Sequence, residues 1–285
     1  MKKISFLNAE SATEIARRLF QERLATKVMG GVFPERTHLS GIHDILDIGC
    51  GPGGWGIDVA RCYYDCTFVG IDCNKAMIEY ARTLLKMHQL QNARFEAIST
   101  YDRLPFQAHC FDLINLPFGI CSVLPACGSL LLHECMRVLR PGGTIRFTEA
   151  DSLGITNSAA QMQFHRLCMR LLQQCENEAS PIGELGGNIS RIEALLQDVG
   201  CRTVHMQASL IDVSFGTEYH ESYVQHLHIL GTQLVPRLSA FATQEELDHL
   251  FYQMLEEITS EIFQGTSSLS IIWSEKEETI FEEPI

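Results

Sequence analysis

The chain has 285 residues, of which 46% are hydrophobic and 20% charged, the balance of a globular protein long enough to bury a sizeable core. Its formal net charge of -13 argues against bulk attraction to nucleic acid or to anionic lipid. The opening "MKKISFLNAE" lacks the apolar run of a secretory signal, and no stretch reaches the roughly 18 apolar residues of a membrane span, so a cytoplasmic location is expected.

In chain order, residues 8–29 read as a helix with a polar start, apolar residues at helical spacing and Gly30-Gly31 beyond its end. From His43 onward, short β-rich runs alternate with helical patterns: "HDILDI", a helix from Gly54 to Tyr63, "CTFVGI", a helix from Asn74 to His88, "ARFEAI" and "FDLINL". A helix ending near "CMRVLR", the turn Pro141-Gly142-Gly143 and "GTIRFTEA" complete this series. Strands separated by crossover helices predict a doubly wound, mostly parallel α/β sheet. After Ala150 the alternation breaks down. Helices are expected over 157–177, over "ISRIEALLQDVG", near 217–230 and over 243–263, with strands at "CRTVHMQASLIDVSF" and 268–275. The expected organisation is a core of residues 41–151, 184–215 and 266–285. To it are added an N-terminal helical lid, 1–40, and helical cap insertions, 152–183 and 216–265. In such a sheet ligands sit beyond the carboxyl ends of the strands, where a lid would close over them.

The 11 cysteines are scattered. Cys62 and Cys66 have no matching second pair to complete a zinc site, so no metal is expected and most thiols read as small core residues.

"DILDIGCGPGGWGID", residues 44–58, satisfies the dinucleotide fingerprint at Gly49, Gly51 and Gly54, with Asp72 18 residues further on. Those glycines serve any nucleoside ligand, because they let it approach the backbone and the helix N-terminus. Asp47 discriminates between ligands. Placed at the carboxyl end of the first strand, it would repel a pyrophosphate and attract a cationic ligand, and S-adenosylmethionine carries ammonium and sulfonium charges.

"ILDIGCGPGGWGIDVA" resembles motif I of the class I S-adenosylmethionine-dependent methyltransferases, and "VGIDCNKAMIEYAR" is similar to their acidic second motif. "FDLINL" and "VLRPGGTIRFTE" resemble the fourth and fifth strand regions of that family, in order. The resemblance covers about residues 43–150 and implies a seven-stranded sheet with an antiparallel last strand. It also implies S-adenosylmethionine as cofactor and S-adenosylhomocysteine as product. On this reading Gly49, Cys50, Gly51 and Gly53 wrap the methionine part and the ribose, and Asp47 approaches the methionine ammonium. Asp72 accepts the ribose hydroxyls, while Cys73 and Asn74 lie near the adenine. Asp72 has an alternative role as a helix cap, which Asn74 would fill equally well. Relatives carry an acid after the third strand to meet the adenine amino group. Here Thr100 stands in its place, with Asp102 two residues later, leaving the Thr100 hydroxyl or the Tyr101 backbone for adenine. "NLPF", residues 115–118, is a poor match to the Asn-Pro-Pro-aromatic motif of adenine methyltransferases, so Asn115 and Leu116 are expected to give backbone contacts near the methyl.

Methyl transfer chiefly requires alignment and exclusion of water. A base is needed only if the acceptor loses a proton early. Glu149 (with Asp151 beside it), His165, Tyr219 and His220 are the candidates; His133 is discounted by its position. Gln21, Arg18 and Met29 to Gly31 are placed to close over the cofactor. The Met-, Phe-, Leu- and Tyr-bearing insertions without a basic run suit an apolar small-molecule acceptor at O, N or C, with no nucleic acid or membrane partner and a homodimer as an option. A nicotinamide-dependent oxidoreductase, and a protein of this fold catalysing a non-methylating rearrangement, remain as alternatives.

Overall fold

The computed structural model describes residues 12–36, 38–117, 124–150, 154–177 and 188–277. Asp151, the loop 180–187 and the first residues of the N-terminal helix lie outside that set.

The elements follow in the order α1 (Ala12–Met29), β1 (Asp44–Ile48), α2 (Gly54–Cys62), β2 (Thr67–Asp72), α3 (Lys75–Met87), β3 (Ala93–Ala97), β4 (Phe111–Leu116) and α4 (Leu124–Val138). Then come β5 (Leu139–Ala150), β6 (Ile155–Thr156), α5 (Ala159–Asn177), α6 (Asn188–Asp198), β7 (Val204–Asp212), α7 (His220–Leu234), a 3₁₀ turn (Val235–Ala240), α8 (Gln244–Thr259) and β8 (Gly265–Glu275). The chain divides into two compact units: residues 29–149, 186–208 and 270–285, and residues 1–28, 150–185 and 209–269.

In the first unit the sheet order is β3-β2-β1-β4-β5-β8, with β7 paired to β8. Strands β1 to β5 are parallel. Both faces are covered, as a parallel sheet requires. Leu46, Ile48, Ile114, Leu116, Ile145 and Phe147 join Leu131, Leu132 and Cys135 of α4 and Ile192 and Leu196 of α6 in one apolar layer. Ile45, Phe68, Phe95 and Leu113 join Ile57 and Val59 of α2, Ile78 and Ala81 of α3, and Val32 and Phe33 in the other. α3 starts where Asn74 caps it, its Oδ1 accepting from the N–H groups of Ala76 and Met77. Cap duty therefore falls to Asn74 and leaves Asp72 for other work.

Among the described residues the sheet has eight strands where seven were predicted. The extra one, β6, has two residues, pairs antiparallel with Gly265 and Thr266, and is too short to register as an alternation. Pro141-Gly142-Gly143, predicted as a turn before the fifth strand, is a bulge inside β5. Pairing with β4 skips from Phe111↔Leu139 to Leu113↔Thr144. The freed backbone is paired elsewhere: Gly142 N–H donates to the Lys276 carbonyl, and Lys276 N–H to that of Gly143.

The second unit is largely helical. Phe164 of α5 and Phe251 of α8 sit with ring centroids 6.2 Å apart, among buried Leu227, Leu238, Leu250, Met254 and Ile258. On α1, Glu14 is fully buried and accepts from Arg17 at 2.7 Å, Arg18 at 3.1 Å and Gln233 of α7 at 3.1 Å. No helix among the described residues is long and apolar enough to cross a membrane.

Candidate functional site

The loop between β1 and α2 is stitched to the end of β2. Gly49 and Cys50 donate their N–H groups to the Ile71 carbonyl, at 2.8 and 3.1 Å. Gly51, at φ 54°, turns its N–H onto Asp72 Oδ2 at 3.0 Å. Gly53, at φ 82°, is the N-cap of α2, and a Cβ there would lie 2.8 Å from Ala81 Cβ and from the Phe95 ring. Only glycine meets both the left-handed backbone and that close approach. The Cys50 side chain is buried beside Gly70 and Phe95 and leaves only its backbone at the loop surface.

Asp72 is held from two directions, its Oδ1 accepting from Asn74 N–H at 2.7 Å and its Oδ2 from Gly51. Next to it, Cys73 N–H donates to the Tyr101 hydroxyl at 3.4 Å, which brings the segment after β3 against the end of β2. Burial, with Asp72 alongside, pushes the Tyr101 phenol well above its ordinary range and keeps it neutral. Thr100 is exposed, and its hydroxyl accepts from Asp102 N–H at 3.1 Å.

Asp47 is 1% exposed. Cross-strand register places it opposite Asn115 of β4, which stands opposite Arg146 of β5. Asn115 Nδ2 donates to Asp47 Oδ1 at 2.7 Å, and Arg146 Nη1 donates to Asn115 Oδ1 at 2.7 Å. Burial raises the Asp47 pKa to about 7; Asn115 and Arg146 oppose the rise and Asp72 adds to it. Arg146 Nε lies 3.0 Å from Glu35 Oε1, with both side chains 1% exposed, and the guanidinium lies 5.4 Å from the Trp55 ring and 5.7 Å from that of Phe33. The composition of "GTIRFTEA" carries one signal of this, a cation inside an apolar run. Its partner Glu35 lies in a connector far away in sequence, and the reading of motifs missed both.

Of the other predicted residues, Leu116 turns its side chain into the apolar layer and presents only its backbone. Glu149 lies in the same unit, buried at the end of β5. His165, Tyr219 and His220 belong to the helical unit. His220 Nδ1–H donates to the Val213 carbonyl at 3.0 Å, which leaves Nε2 as the basic nitrogen. Burial, with Arg166 nearby, lowers the His165 pKa. Lys27 lies 5.8 Å from the Tyr219 ring centroid.

The donor set fits a ligand with a positive charge and a diol. Two buried carboxylates flank the glycine loop, and the buried cation in reach, Arg146, already faces Asn115 and Glu35. A pyrophosphate would meet Asp47.

Residues 45–143 match the methyltransferase domain family. The methyltransferase str2 of Strobilurus tenacellus is 33% identical over 107 residues, 38% of this chain and 35% of that protein. The fatty-acid O-methyltransferase of Mycolicibacterium smegmatis is 33% identical over 106 residues, 37% of this chain and 36% of that protein. The chain thus spans little more than a third of the length of these relatives. Among solved structures, phosphoethanolamine N-methyltransferase 2 of Haemonchus contortus, in complex with S-adenosyl-L-methionine, superposes with a TM-score of 0.57 at 15% identity. That match covers 97% of this chain and 61% of that one, and it is a likeness of fold.

Proposed function

We propose that the whole chain is a methyltransferase that moves a methyl group from S-adenosylmethionine to an apolar small molecule. The observation that carries this is the pair of buried carboxylates, Asp47 and Asp72, at the ends of adjacent strands β1 and β2 around a glycine loop. Bound there, the cofactor supplies an electrophilic methyl on sulfonium. Asp47 holds the ammonium, Asp72 the ribose diol, the Gly49 to Gly53 backbone the methionine and ribose, and Cys73 and Tyr101 flank the adenine. Thr100 offers its hydroxyl where relatives place an acid, and the backbones of Asn115 and Leu116 lie toward the methyl.

The apolar class of acceptor rests on two supports: the acidic chain, and the fatty-acid O-methyltransferase among its relatives. Glu149, His165, Tyr219 and His220 are the candidate groups for taking a proton from an O or N acceptor. His165, whose pKa burial lowers, is neutral near pH 7, the state a base needs, and His220 keeps Nε2 clear of its bond to Val213. A cytoplasmic location, where thiols stay reduced, is part of this reading.

Parallel calorimetric titrations with S-adenosylmethionine, S-adenosylhomocysteine and NAD test the cofactor. Micromolar binding of the two adenosyl ligands and none of NAD is expected, and NAD binding alone would overturn the reading. Transfer of labelled methyl to a panel of fatty acids, polyketides and terpenoids then tests the acceptor class. Labelling confined to nucleic acid or protein would sink it.

A further inference from the structure

The row Asp47–Asn115–Arg146 runs across three neighbouring strands on one face of the sheet, and all three residues are 1% exposed. A side-chain amide has one acceptor and one donor end. Because Arg146 Nη1 donates to Asn115 Oδ1, the amide must turn its N–H toward Asp47, and the guanidinium charge polarises that N–H further. One lone-pair set of Oδ1 is thereby occupied and the carboxylate plane is fixed. The charged groups acting on Asp47 are Arg146 from β5, which favours its ionised form, and Asp72 from β2, which opposes it. Arg146 is itself held by Glu35 from the segment after α1, with the charge of Arg36 opposing. It sits against the Phe33 and Trp55 rings in a site from which water is excluded.

Burying an arginine is costly unless its charge is used. Packing alone would be served by an apolar side chain, as at neighbouring Ile145 and Phe147. Among the described residues Arg146 Nη2 has no hydrogen-bond partner, and Nε and Glu35 Oε1 are close without hydrogen-bond geometry. Among the described residues, the well-formed side-chain hydrogen bond of this buried cation points along the row toward Asp47.

We propose that Arg146, acting through Asn115, is a positioning residue that favours the ionised form of the Asp47 carboxylate and orients it for the ammonium group of an amino-acid-bearing nucleoside. The inference rests on the assignment of Asp47 to the ligand ammonium. Arg146 touches neither ligand nor reacting atoms; it sets the pH range in which the site accepts a cation.

The test is the affinity of the full chain for S-adenosylhomocysteine from pH 5.5 to 8.5, with adenosine, which lacks the ammonium, as control. Wild type should lose S-adenosylhomocysteine affinity as pH falls through about 7, where the buried Asp47 takes up its proton. Arg146→Met should move that midpoint up by about one pH unit and weaken binding ~5-fold at pH 7 and ~10-fold at pH 5.5, with adenosine affinity changed less than ~2-fold. Arg146→Lys, which restores a cation, should return the midpoint most of the way. Glu35→Gln/Arg146→Met removes the carboxylate the single variant would strand, so the same shift is read on it if Arg146→Met does not fold. An unmoved midpoint, or equal weakening of adenosine and S-adenosylhomocysteine at every pH, would overturn the role of Arg146. Asp47→Asn separates the parent assignment: if that variant binds S-adenosylhomocysteine as wild type does, Asp47 is not the ammonium site and both readings fall. If it loses binding while Arg146→Met changes nothing, only the present one does.

Discussion

Gly51 donates its backbone N–H to the carboxylate of Asp72 at 3.0 Å, so the glycine loop and the end of β2 are fastened to each other. With Asn74 N–H at 2.7 Å on the other oxygen, Asp72 is aimed by backbone on both sides. Asp72→Ala should therefore remove the diol contact and loosen the loop together. An S-adenosylhomocysteine affinity at least ~100-fold weaker is expected by calorimetry, from hydrogen bonds to a charged group worth about 1.5–3 kcal/mol each. Near-wild-type affinity would show that the ribose is held elsewhere.

Proton release accompanies ligand binding if Asp47 meets the ammonium. The buried carboxyl titrates near pH 7, so at pH 6 about nine-tenths of the free protein holds the proton, and a cation beside it would expel it. Titrations at pH 6 in buffers of different ionisation enthalpy should give nearly one proton released per S-adenosylhomocysteine, falling toward zero at pH 8. The same shift works against stability. Between the ordinary carboxylate range and pH 7 the folded state holds more protons than the unfolded, so this group's contribution declines as pH rises through that interval and is level above it.

Gly53 and Gly41 separate packing from backbone strain. Both have φ near 80°, but a Cβ at Gly41 meets nothing within 4 Å, whereas at Gly53 it strikes Ala81 and Phe95. Gly41→Ala should cost about 1 kcal/mol, the left-handed penalty alone. Gly53→Ala should cost about 3 kcal/mol, overpacking included. Chemical denaturation of the two variants reads both, and equal losses would mean that the layer under the loop yields.

His226 on α7 gives the helical unit an acid sensitivity. Burial and the neighbouring Arg17 lower its pKa to about 4, with Glu14 opposing. Below its ordinary value of 6.5 the unfolded state takes the proton first, so stability drains as pH falls from about 6.5 toward 4. Thermal melts at pH 7 and pH 4.5 should show wild type losing about 5 °C more than His226→Asn, an effect of about 2 kcal/mol. Equal losses would place the acid sensitivity elsewhere.

Much of the core was legible because its signals are local. Alternating runs gave β1 to β5, and the glycine loop followed by an acid at the end of β2 marked the ligand end of the sheet. Asn74 two residues before Ala76 was readable as a cap, and it is one. The misses are of another kind. β6 pairs two residues with a segment more than a hundred positions away, and the Pro141-Gly143 bulge is recognisable only once Lys276 is seen to complete it. Nothing near Cys50 or Leu116 announces that their side chains face inward; the pleat and the glycine turn decide that.

By itself the sequence determined the α/β alternation, the nucleoside-type loop and the identity of its two carboxylates, because periodicity, glycine and capping act within a few residues. Only the tertiary structure decided the electrical state of the site. Register across β1, β4 and β5 sets Arg146 two residues away from Asp47 along a buried row, and the segment after α1 sets Glu35 against that arginine. Electrostatic coupling depends on distance and on exclusion of water, and both are properties of the folded arrangement.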